Sequence, residues 1–191
     1  MIKMFKKIYY ILLVPHYICM LFSSEETREL IMQDIMVMNS RLKISKGIFY
    51  YLTFHKSYRN LFYHRIGKIS RYLKRIVPEY SYFIIGNSVQ IDGGFFVLNH
   101  PYSTIINAKR IGSGCTICQL TTLGNKINFR NDLIPSIGKN VTIGANVCII
   151  GDITIGDNVI IGAGSVVTKN IPSYSVCAGN PAKVIKMCET E

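Results

Sequence analysis

The hydrophobic pattern of the chain changes its period near Pro78. Before that point, apolar side chains recur every three or four residues, which predicts amphipathic helices. Ser23 followed by Glu26 predicts the start of one helix, and a second, longer helix is predicted over residues 46–76. The apolar side of this helix comprises Phe54, Tyr58, Leu61, Phe62, Ile66, Ile69, Tyr72 and Leu73, and the opposite side carries Lys56, Arg59, Arg65, Lys68, Arg71 and Lys74. Solvent, or an anionic lipid or lipid-linked sugar, is expected to face these cations.

From residue 81 onwards the hydrophobic period is six. The first position of each hexad is aliphatic: Ile85, Ile91, Ile105, Ile111, Ile117, Leu123, Ile137, Ile143, Ile149, Ile155 and Ile161. Glycine frequently follows, at residues 86, 112, 124, 138, 144, 156 and 162. The frame slips at residues 98–104 and 126–136, and these two segments are predicted to be loops because a regular wall cannot absorb extra residues.

A six-residue repeat predicts one short strand and one corner per hexad, so that three hexads form one triangular coil. The first-position side chains then point inward and stack on their equivalents about 4.8 Å away in the next coil. Glycine, asparagine and aspartate are suited to the corners, where the backbone adopts angles that other residues resist. This pattern predicts four coils, and it places Cys115 at an inward position reserved for small residues.

Charge and cysteine content narrow the function classes. The net charge is +11, but residues 1–80 hold 14 basic and 5 acidic side chains, whereas residues 81–191 hold 8 and 6. This uneven distribution argues against a nucleic-acid partner. The six cysteines are too few for a disulfide framework, and the Cys115–Cys118 pair lacks a second pair of ligands, so no metal is expected. No glycine-rich phosphate-binding motif of the Rossmann or P-loop type is present.

The N-terminus combines a basic segment with a short apolar run, a combination also found in targeting signals. Residues 1–7 are basic, and the apolar run over residues 8–14 is far shorter than the roughly 20 residues that span a bilayer. No small-residue cleavage site of a secretory signal follows. Three interpretations remain open: a helix packed on the rest of the protein, a basic amphipathic segment on an anionic membrane surface, and a secretory signal that lacks the usual cleavage site. The expected location is the cytoplasm, with peripheral contact to the inner membrane as an alternative.

Four stretches carry a resemblance to a known family: residues 91–100, 122–125, 155–169 and 178–183. Through them, residues 81–186 resemble the left-handed β-helix acyltransferases of the hexapeptide-repeat superfamily, in the serine acetyltransferase-like branch. The resemblance implies that the coils over residues 81–186 form a left-handed parallel β-helix. Together with the periods of the chain, it predicts a mainly β fold, with an α-helical region over residues 1–80 and a tail over residues 187–191. It also implies a homotrimer that uses acetyl-CoA as co-substrate.

His100 is the predicted general base. It is the only histidine after residue 81, and the resemblance implies that the histidine at this place removes the proton of the attacking hydroxyl. Imidazole then delivers a proton to the departing CoA thiolate, because its ordinary pKa of about 6.5 allows both steps at neutral pH. The other histidines, at residues 16, 55 and 64, are expected to have surface or packing roles.

The resemblance also implies a cofactor site. The pantetheine arm of acetyl-CoA would lie in a groove between neighbouring coils and chains, and Lys183 and Lys186 would meet its phosphates. A backbone amide near Gly124 and Asn125 is expected to donate to the oxyanion of the tetrahedral intermediate. The small or corner residues expected to line the groove are Ala145, Ala163, Thr168 and Lys169.

The chain departs from the serine acetyltransferase pattern at the predicted acceptor site. Where those enzymes carry an acid that orients the histidine, this chain has Ile84 or Ile85, and Asn99 replaces the aspartate before the histidine. Leu133 and Ile134 replace an Arg-His pair. Asp92 and Asn99 are therefore candidates for orienting His100, while Arg130 and Asp132 are candidates for binding the acceptor.

These departures favour a sugar hydroxyl as acceptor, because a site lacking three polar groups holds a zwitterion poorly. With this reduced pattern, the chain resembles the O-acetyltransferases of capsule, exopolysaccharide and O-antigen synthesis. This resemblance implies an acetyl-CoA-dependent O-acetyltransferase of surface polysaccharide biosynthesis, acting on a sugar or a lipid-linked sugar. Two alternatives remain. One is serine O-acetyltransferase, and the other is a non-catalytic hexapeptide-repeat scaffold.

Overall fold

The computed structural model describes residues 2–38, 44–97, 102–126 and 133–188. The chain divides into two compact units, Met1–Ser81 and Tyr82–Glu191. The first unit is α-helical, and the second is built from short β-strands. No described helix is long and apolar enough to cross a membrane.

The helical unit contains more helices than the period predicted. They are α1 (Ile2–Leu21), α2 (Glu25–Met38), α3 (Ile44–Phe54), α4 (Lys56–Ile66) and α5 (Ser70–Ile76), with a 3₁₀ turn at Gly67–Ile69. The prediction of one helix over residues 46–76 is therefore wrong. His55 has extended backbone angles, and Gly67 adopts φ +62°, so the chain turns at both points. The start of α2 is displaced by one residue, because Ser24 and not Ser23 accepts the hydrogen bond, from the amide of Thr27.

Helix α4 is the centre of this unit. Its residues 57–63 are all buried. Two of the arginines predicted to face solvent or an anionic partner are also buried. Arg59 donates to the carbonyl oxygens of Leu52 and Pro78, and the Arg65 guanidinium forms an ion pair with Asp34 at 3.1 Å with both side chains almost fully buried. Arg59 and Arg65 therefore hold α4 to its neighbours, because Arg59 hydrogen-bonds buried carbonyl oxygens and Arg65 neutralises a carboxylate that folding removes from water.

His16 of α1 also belongs to this buried polar network. Its Nε2 lies 2.9 Å from the Tyr63 hydroxyl, which itself donates to the carbonyl oxygen of Val77. Since the phenolic hydrogen is used in that bond, Nε2 must be the donor to Tyr63. Burial, together with the charge of Arg59, lowers the pKa of His16 to about 4. His16 is therefore neutral near pH 7 and has a packing role, as the sequence predicted.

The second unit is a parallel β-helix. Its strands are β1 (Phe83–Ile85), β2 (Gln90–Ile91), β3 (Phe96–Val97), β4 (Thr104–Ile106), β5 (Arg110–Ile111), β6 (Thr116–Ile117), β7 (Thr122–Gly124), β8 (Ser136–Ile137), β9 (Thr142–Ile143), β10 (Cys148–Ile150), β11 (Thr154–Ile155), β12 (Ile160–Ile161), β13 (Val166–Val167), β14 (Ser175–Gly179) and β15 (Ala182–Met187). They form sheet A (β1-β4-β7-β10-β13), sheet B (β2-β5-β8-β11) and sheet C (β3-β6-β9-β12-β14-β15). All pairs are parallel except β14 with β15.

Three inward columns of side chains fill the β-helix. Neighbours in each column are paired in register: sheet A stacks Ile85, Ile106, Leu123, Ile149 and Val167; sheet B stacks Ile91, Ile111, Ile137, Ile155 and Ile171; sheet C stacks Val97, Ile117, Ile143, Ile161 and Cys177. The predicted frame is wrong at one place, since Ile106 is fully buried whereas Ile105 is 42% exposed. The predicted first loop is also too long, because Thr104 already lies in β4.

The corners form three edges, each named by the sheets that it joins. The A–B edge contains residues 107–109, 124–126, 151–153 and 168–170; the B–C edge contains residues 92–95, 112–115, 138–141, 156–159 and 172–174; the C–A edge contains residues 102–103, 118–121, 144–147 and 162–165. Left-handed backbone angles recur on the B–C edge at Gly94, Gly114, Asn140, Asn158 and Tyr174, and on the C–A edge at Ser103, Leu120, Asn146 and Gly164. Glycine or asparagine thus occupies six of these nine corner positions, as predicted, while Tyr174, Ser103 and Leu120 occupy the other three.

Cys115 lies inside the β-helix, as predicted. Its side chain is fully buried and its Sγ lies 3.1 Å from the carbonyl oxygen of Gly138. Burial raises the pKa of this thiol to about 11, so it remains protonated at neutral pH. Cys118 lies on the C–A edge, half-buried. Among the described residues, no group of three or more His, Cys, Asp or Glu side chains could hold a metal ion.

The close stacking of coils predicts the effect of replacing corner glycines. A Cβ at residue 112 would lie 2.6 Å from the carbonyl carbon and oxygen of Gly138, whereas a Cβ at residue 124 would meet nothing within 4 Å. We expect Gly112→Ala to lower the free energy of unfolding by about 1–3 kcal/mol. Gly124→Ala is expected to be neutral or slightly stabilising. Urea denaturation of both variants measures this difference, and equal stabilities would contradict the stacked arrangement.

The buried His16 predicts a pH-dependent stability of the helical unit. Above pH 6.5 the group is neutral in the folded and unfolded chains and has no effect. Between pH 6.5 and about 4 the unfolded chain binds a proton that the folded chain does not, so stability falls as the pH falls through this window. We expect His16→Gln to reduce the pH dependence of unfolding in this range by up to one bound proton.

Denaturant titrations at several pH values measure this effect, with His55→Gln as the control because His55 is exposed. An unchanged pH dependence in His16→Gln would show that the imidazole does not carry the effect.

Candidate functional site

Equivalent residues of successive coils line the C–A edge. The amide of Leu120 donates to the carbonyl oxygen of Tyr102 at 2.9 Å, the amide of Asn146 to that of Gln119 at 3.0 Å, and the amide of Gly164 to that of Ala145 at 2.8 Å. Each donor has a left-handed backbone, as does Ser103 in the first of these coils. Each acceptor directly precedes the left-handed residue of its own coil. The equivalent residues are therefore Tyr102, Gln119, Ala145 and Ala163, which we call the C–A column.

The C–A column brings several predicted cofactor residues together. Ala145 and Ala163 occupy successive coils, and Ala163 is exposed. Below them, a Cβ at residue 162 would lie 3.0 Å from Cβ of Ala178, which pairs with Lys183 across β14 and β15. The exposed Lys183 thus lies near the lower end of the column, while Lys186, also exposed, lies further along β15 opposite Val176. Ala145 and Ala163 leave room for an extended ligand along the column, and Lys183 at its lower end can bind an anionic group of that ligand.

The other predicted cofactor residues lie on the A–B edge. Gly124 ends β7, and its carbonyl oxygen accepts a hydrogen bond from the amide of Gly151 at 2.9 Å. Asn125 follows it, while Thr168 and Lys169 follow β13 and are exposed. Sheet A separates this edge from the C–A column. The predicted cofactor set is therefore divided between two edges of one chain.

His100 and Asn99 lie outside the described residues, as do Arg130 and Asp132. The described residues on either side of the first pair are Val97, which ends β3, and Tyr102 of the C–A column. Those on either side of the second pair are Lys126, on the A–B edge, and Leu133. The roles of these four residues remain predictions.

Asp92 lies on the B–C edge. Its Oδ2 accepts a hydrogen bond from the Arg110 guanidinium at 2.7 Å, and this contact raises the pKa of Arg110. Tyr102, the first described residue after His100, lies on the C–A edge. Sheet C separates the C–A edge from the B–C edge, where Asp92 lies. The orienting role of Asp92 remains a prediction, and in the structure its carboxylate pairs with Arg110 on the protein surface.

The sequence did not predict that Tyr102 belongs to the C–A column. Tyr102 is 54% exposed, and its ring centroid lies 5.9 Å from that of Tyr82, which is 57% exposed. In the predicted frame, which places Ile105 inward, the residue equivalent to Ala145 would be Pro101. With Ile106 inward, as observed, Tyr102 takes that position. The sequence would have placed Tyr102 in this column if Ile106, and not Ile105, had been assigned to the inward position.

Sequence comparison identifies relatives of this chain. Residues 135–169 match the bacterial transferase hexapeptide (six repeats) family. The chain is 36% identical over 142 residues to a serine acetyltransferase of Staphylococcus xylosus, covering 71% of this chain and 65% of that protein. It is 40% identical over 100 residues to serine acetyltransferase 2 of Arabidopsis thaliana, covering 52% of this chain and 31% of that protein. The chain thus spans less than two thirds of the length of either relative.

Solved structures with a similar fold are also serine acetyltransferases. The Brucella abortus enzyme in complex with coenzyme A has a TM-score of 0.75 at 23% identity, covering 93% of this chain and 74% of that one. The Neisseria gonorrhoeae enzyme in complex with serine has a TM-score of 0.71 at 26% identity, covering 88% and 73%. These similarities confirm the predicted fold class, a left-handed parallel β-helix preceded by α-helices.

The comparisons overturn one expectation from the sequence. The predicted function in polysaccharide biosynthesis is wrong, because both the sequence relatives and the structural neighbours are serine acetyltransferases. They give no support to a sugar acceptor or to a membrane contact. The chain therefore matches the hexapeptide repeats of bacterial transferases over residues 135–169 and is similar to serine acetyltransferases over 71% of its length.

Proposed function

We propose that this protein transfers an acetyl group from acetyl-CoA to the hydroxyl of L-serine. The similarity to the Staphylococcus xylosus enzyme, which extends over most of this chain, is the observation that carries the proposal. The C–A column supports it, because its small residues and the nearby Lys183 fit the arm and the phosphates of a CoA thioester. The missing Arg-His pair and the Asn99 substitution mean that other groups bind the two charges of serine.

In the proposed reaction, His100 removes the hydroxyl proton as the serine oxygen attacks the thioester carbonyl carbon. The carbon–sulfur bond then breaks, and the same imidazole returns the proton to the CoA thiolate. The products are O-acetyl-L-serine and CoA, and no further reactant is needed. A backbone amide near Gly124 and Asn125 would stabilise the negative charge that develops on the carbonyl oxygen.

The proposal includes a homotrimer with the cofactor between neighbouring copies. A single arm cannot contact both edges of one chain without crossing the outer face of sheet A. Two copies placed side by side can bring the A–B edge of one against the C–A column of the other. The outer face of sheet A supports such a contact because it is uncharged, with Ile84, Ile105, Thr122, Cys148 and Val166. Sheet B instead presents Gln90, Arg110, Ser136 and Thr154.

The reaction is tested by mixing the protein with acetyl-CoA and L-serine. We expect release of free CoA thiol and formation of O-acetyl-L-serine, both quantified by mass spectrometry. His100→Ala is expected to lower kcat by about 10²–10⁴-fold, because it removes the general base. His55→Ala is the matched control, since His55 is exposed and lies in the helical unit. Absence of serine-dependent CoA release by the wild-type protein would refute the proposal.

The cofactor groove is tested at the exposed Ala163. A leucine there would fill space along the C–A column, and we expect acetyl-CoA to bind about tenfold more weakly or worse. Ser113→Leu is the control, because it enlarges a corner residue on the B–C edge. Isothermal titration calorimetry with acetyl-CoA gives both dissociation constants. Equal weakening in the two variants, or none in Ala163→Leu, would place the cofactor elsewhere.

A further inference from the structure

Tyr102 is close in the chain to the predicted general base, and it shares the C–A column with two predicted cofactor residues. It occupies the same position in its coil as Ala145 and Ala163 do in later coils, so it continues the groove where the cofactor is proposed to bind. In the chain it follows His100 by two residues. At the ordinary spacing of coils, about 4.8 Å each, Tyr102 lies roughly 10 Å from Ala145 along the column. If the cofactor lies along the C–A column and His100 is the general base, the thioester and the acceptor meet at this end of the groove.

The side chain of Tyr102 offers an aromatic surface there. Its ring packs against Tyr82 at 38° between the ring planes, and more than half of each side chain is exposed. The next residue of the column is Gln119, and Leu120 beside it adopts φ +62° with 48% of its side chain exposed. These angles are the ones that recur at this corner in the other coils, at Ser103, Asn146 and Gly164, so the corner turns the side chain of Leu120 outward beside the column.

No described carboxylate lies on the C–A edge. In the described part of the β-helix, the carboxylates are Asp92 and Asp157 on the B–C edge and Asp152 on the A–B edge. Asp92 binds Arg110, Asp152 binds Lys109 at 2.6 Å, and Asp157 accepts the amide of Lys139. The described groups that this part of the C–A edge offers to an ammonium group are the rings of Tyr102 and Tyr82. The negative face of a tyrosine ring attracts such a cation.

We propose that the ring of Tyr102, held in place by Tyr82, binds the ammonium group of the acceptor. The inference rests on the proposed serine acetyltransferase function and adds the residue that recognises one end of the substrate. Because the ring contacts the ammonium group and not the reacting hydroxyl, it contributes equally to binding serine and to binding the transition state. Its loss should therefore raise KM and leave kcat nearly unchanged.

The experiment compares L-serine with 3-hydroxypropionate, which has the same hydroxyl and carboxylate but no ammonium group. Tyr102→Leu is expected to raise KM for serine by about 3- to 30-fold, the range of a cation–π contact. It should also reduce the preference for serine over 3-hydroxypropionate, in kcat/KM, by the same factor. Tyr102→Phe keeps the ring and is expected to resemble the wild-type protein. Tyr174→Leu is the control, because Tyr174 is a partly exposed tyrosine on the B–C edge.

Thermal unfolding of each variant separates a loss of folding from a loss of recognition, and a folded Tyr102→Leu with the KM of the wild-type protein overturns the inference alone. A similar rise in KM for Tyr102→Phe would overturn it as well, because the hydroxyl and not the ring would then be responsible. A wild-type protein that does not acetylate serine overturns the proposed function and, with it, this assignment.

Discussion

The inward columns of aliphatic side chains are the constraint on which the β-helix depends. Each strand has only two to six residues and is held by backbone hydrogen bonds to the coils above and below it. A slip of one residue would turn an inward isoleucine to solvent, so burial fixes the register of every coil. Because the register is fixed, corners stack on corners. The C–A column, with Tyr102, Ala145 and Ala163, is a consequence of how the core packs.

The period of six predicted the β-helix, its corners and the interior position of Cys115, because each is a local consequence of stacking. It could not choose between Ile105 and Ile106, since both are aliphatic and only the pairing of Ile106 with Leu123 decides. In the helical unit, the period could not show that Arg59 is buried. A cation goes inside only when its partners converge in space, and the carbonyl of Pro78 is far from it in sequence.

The prediction of a sugar acceptor is wrong for a related reason. It rests on the replacement of polar or charged residues at particular places in the sequence, for example by Asn99 and Leu133. A substrate is bound by whichever groups meet around it, and different positions can supply the same charge or surface. Tyr102 and Tyr82 illustrate this point, since they are well separated in the chain and are brought together by the pairing of β1 with β4.

The division of the predicted cofactor residues between two edges connects binding to assembly. If acetyl-CoA contacts Ala163 of one copy and Thr168 of its neighbour, it stabilises the associated form over the separate chains. Linkage requires the reverse as well, so association must strengthen acetyl-CoA binding by the same factor. Sheet A would transmit this coupling because its outer face lies between the two edges. The uncharged outer residues of sheet A would then affect acetyl-CoA binding through association, although they do not contact the cofactor.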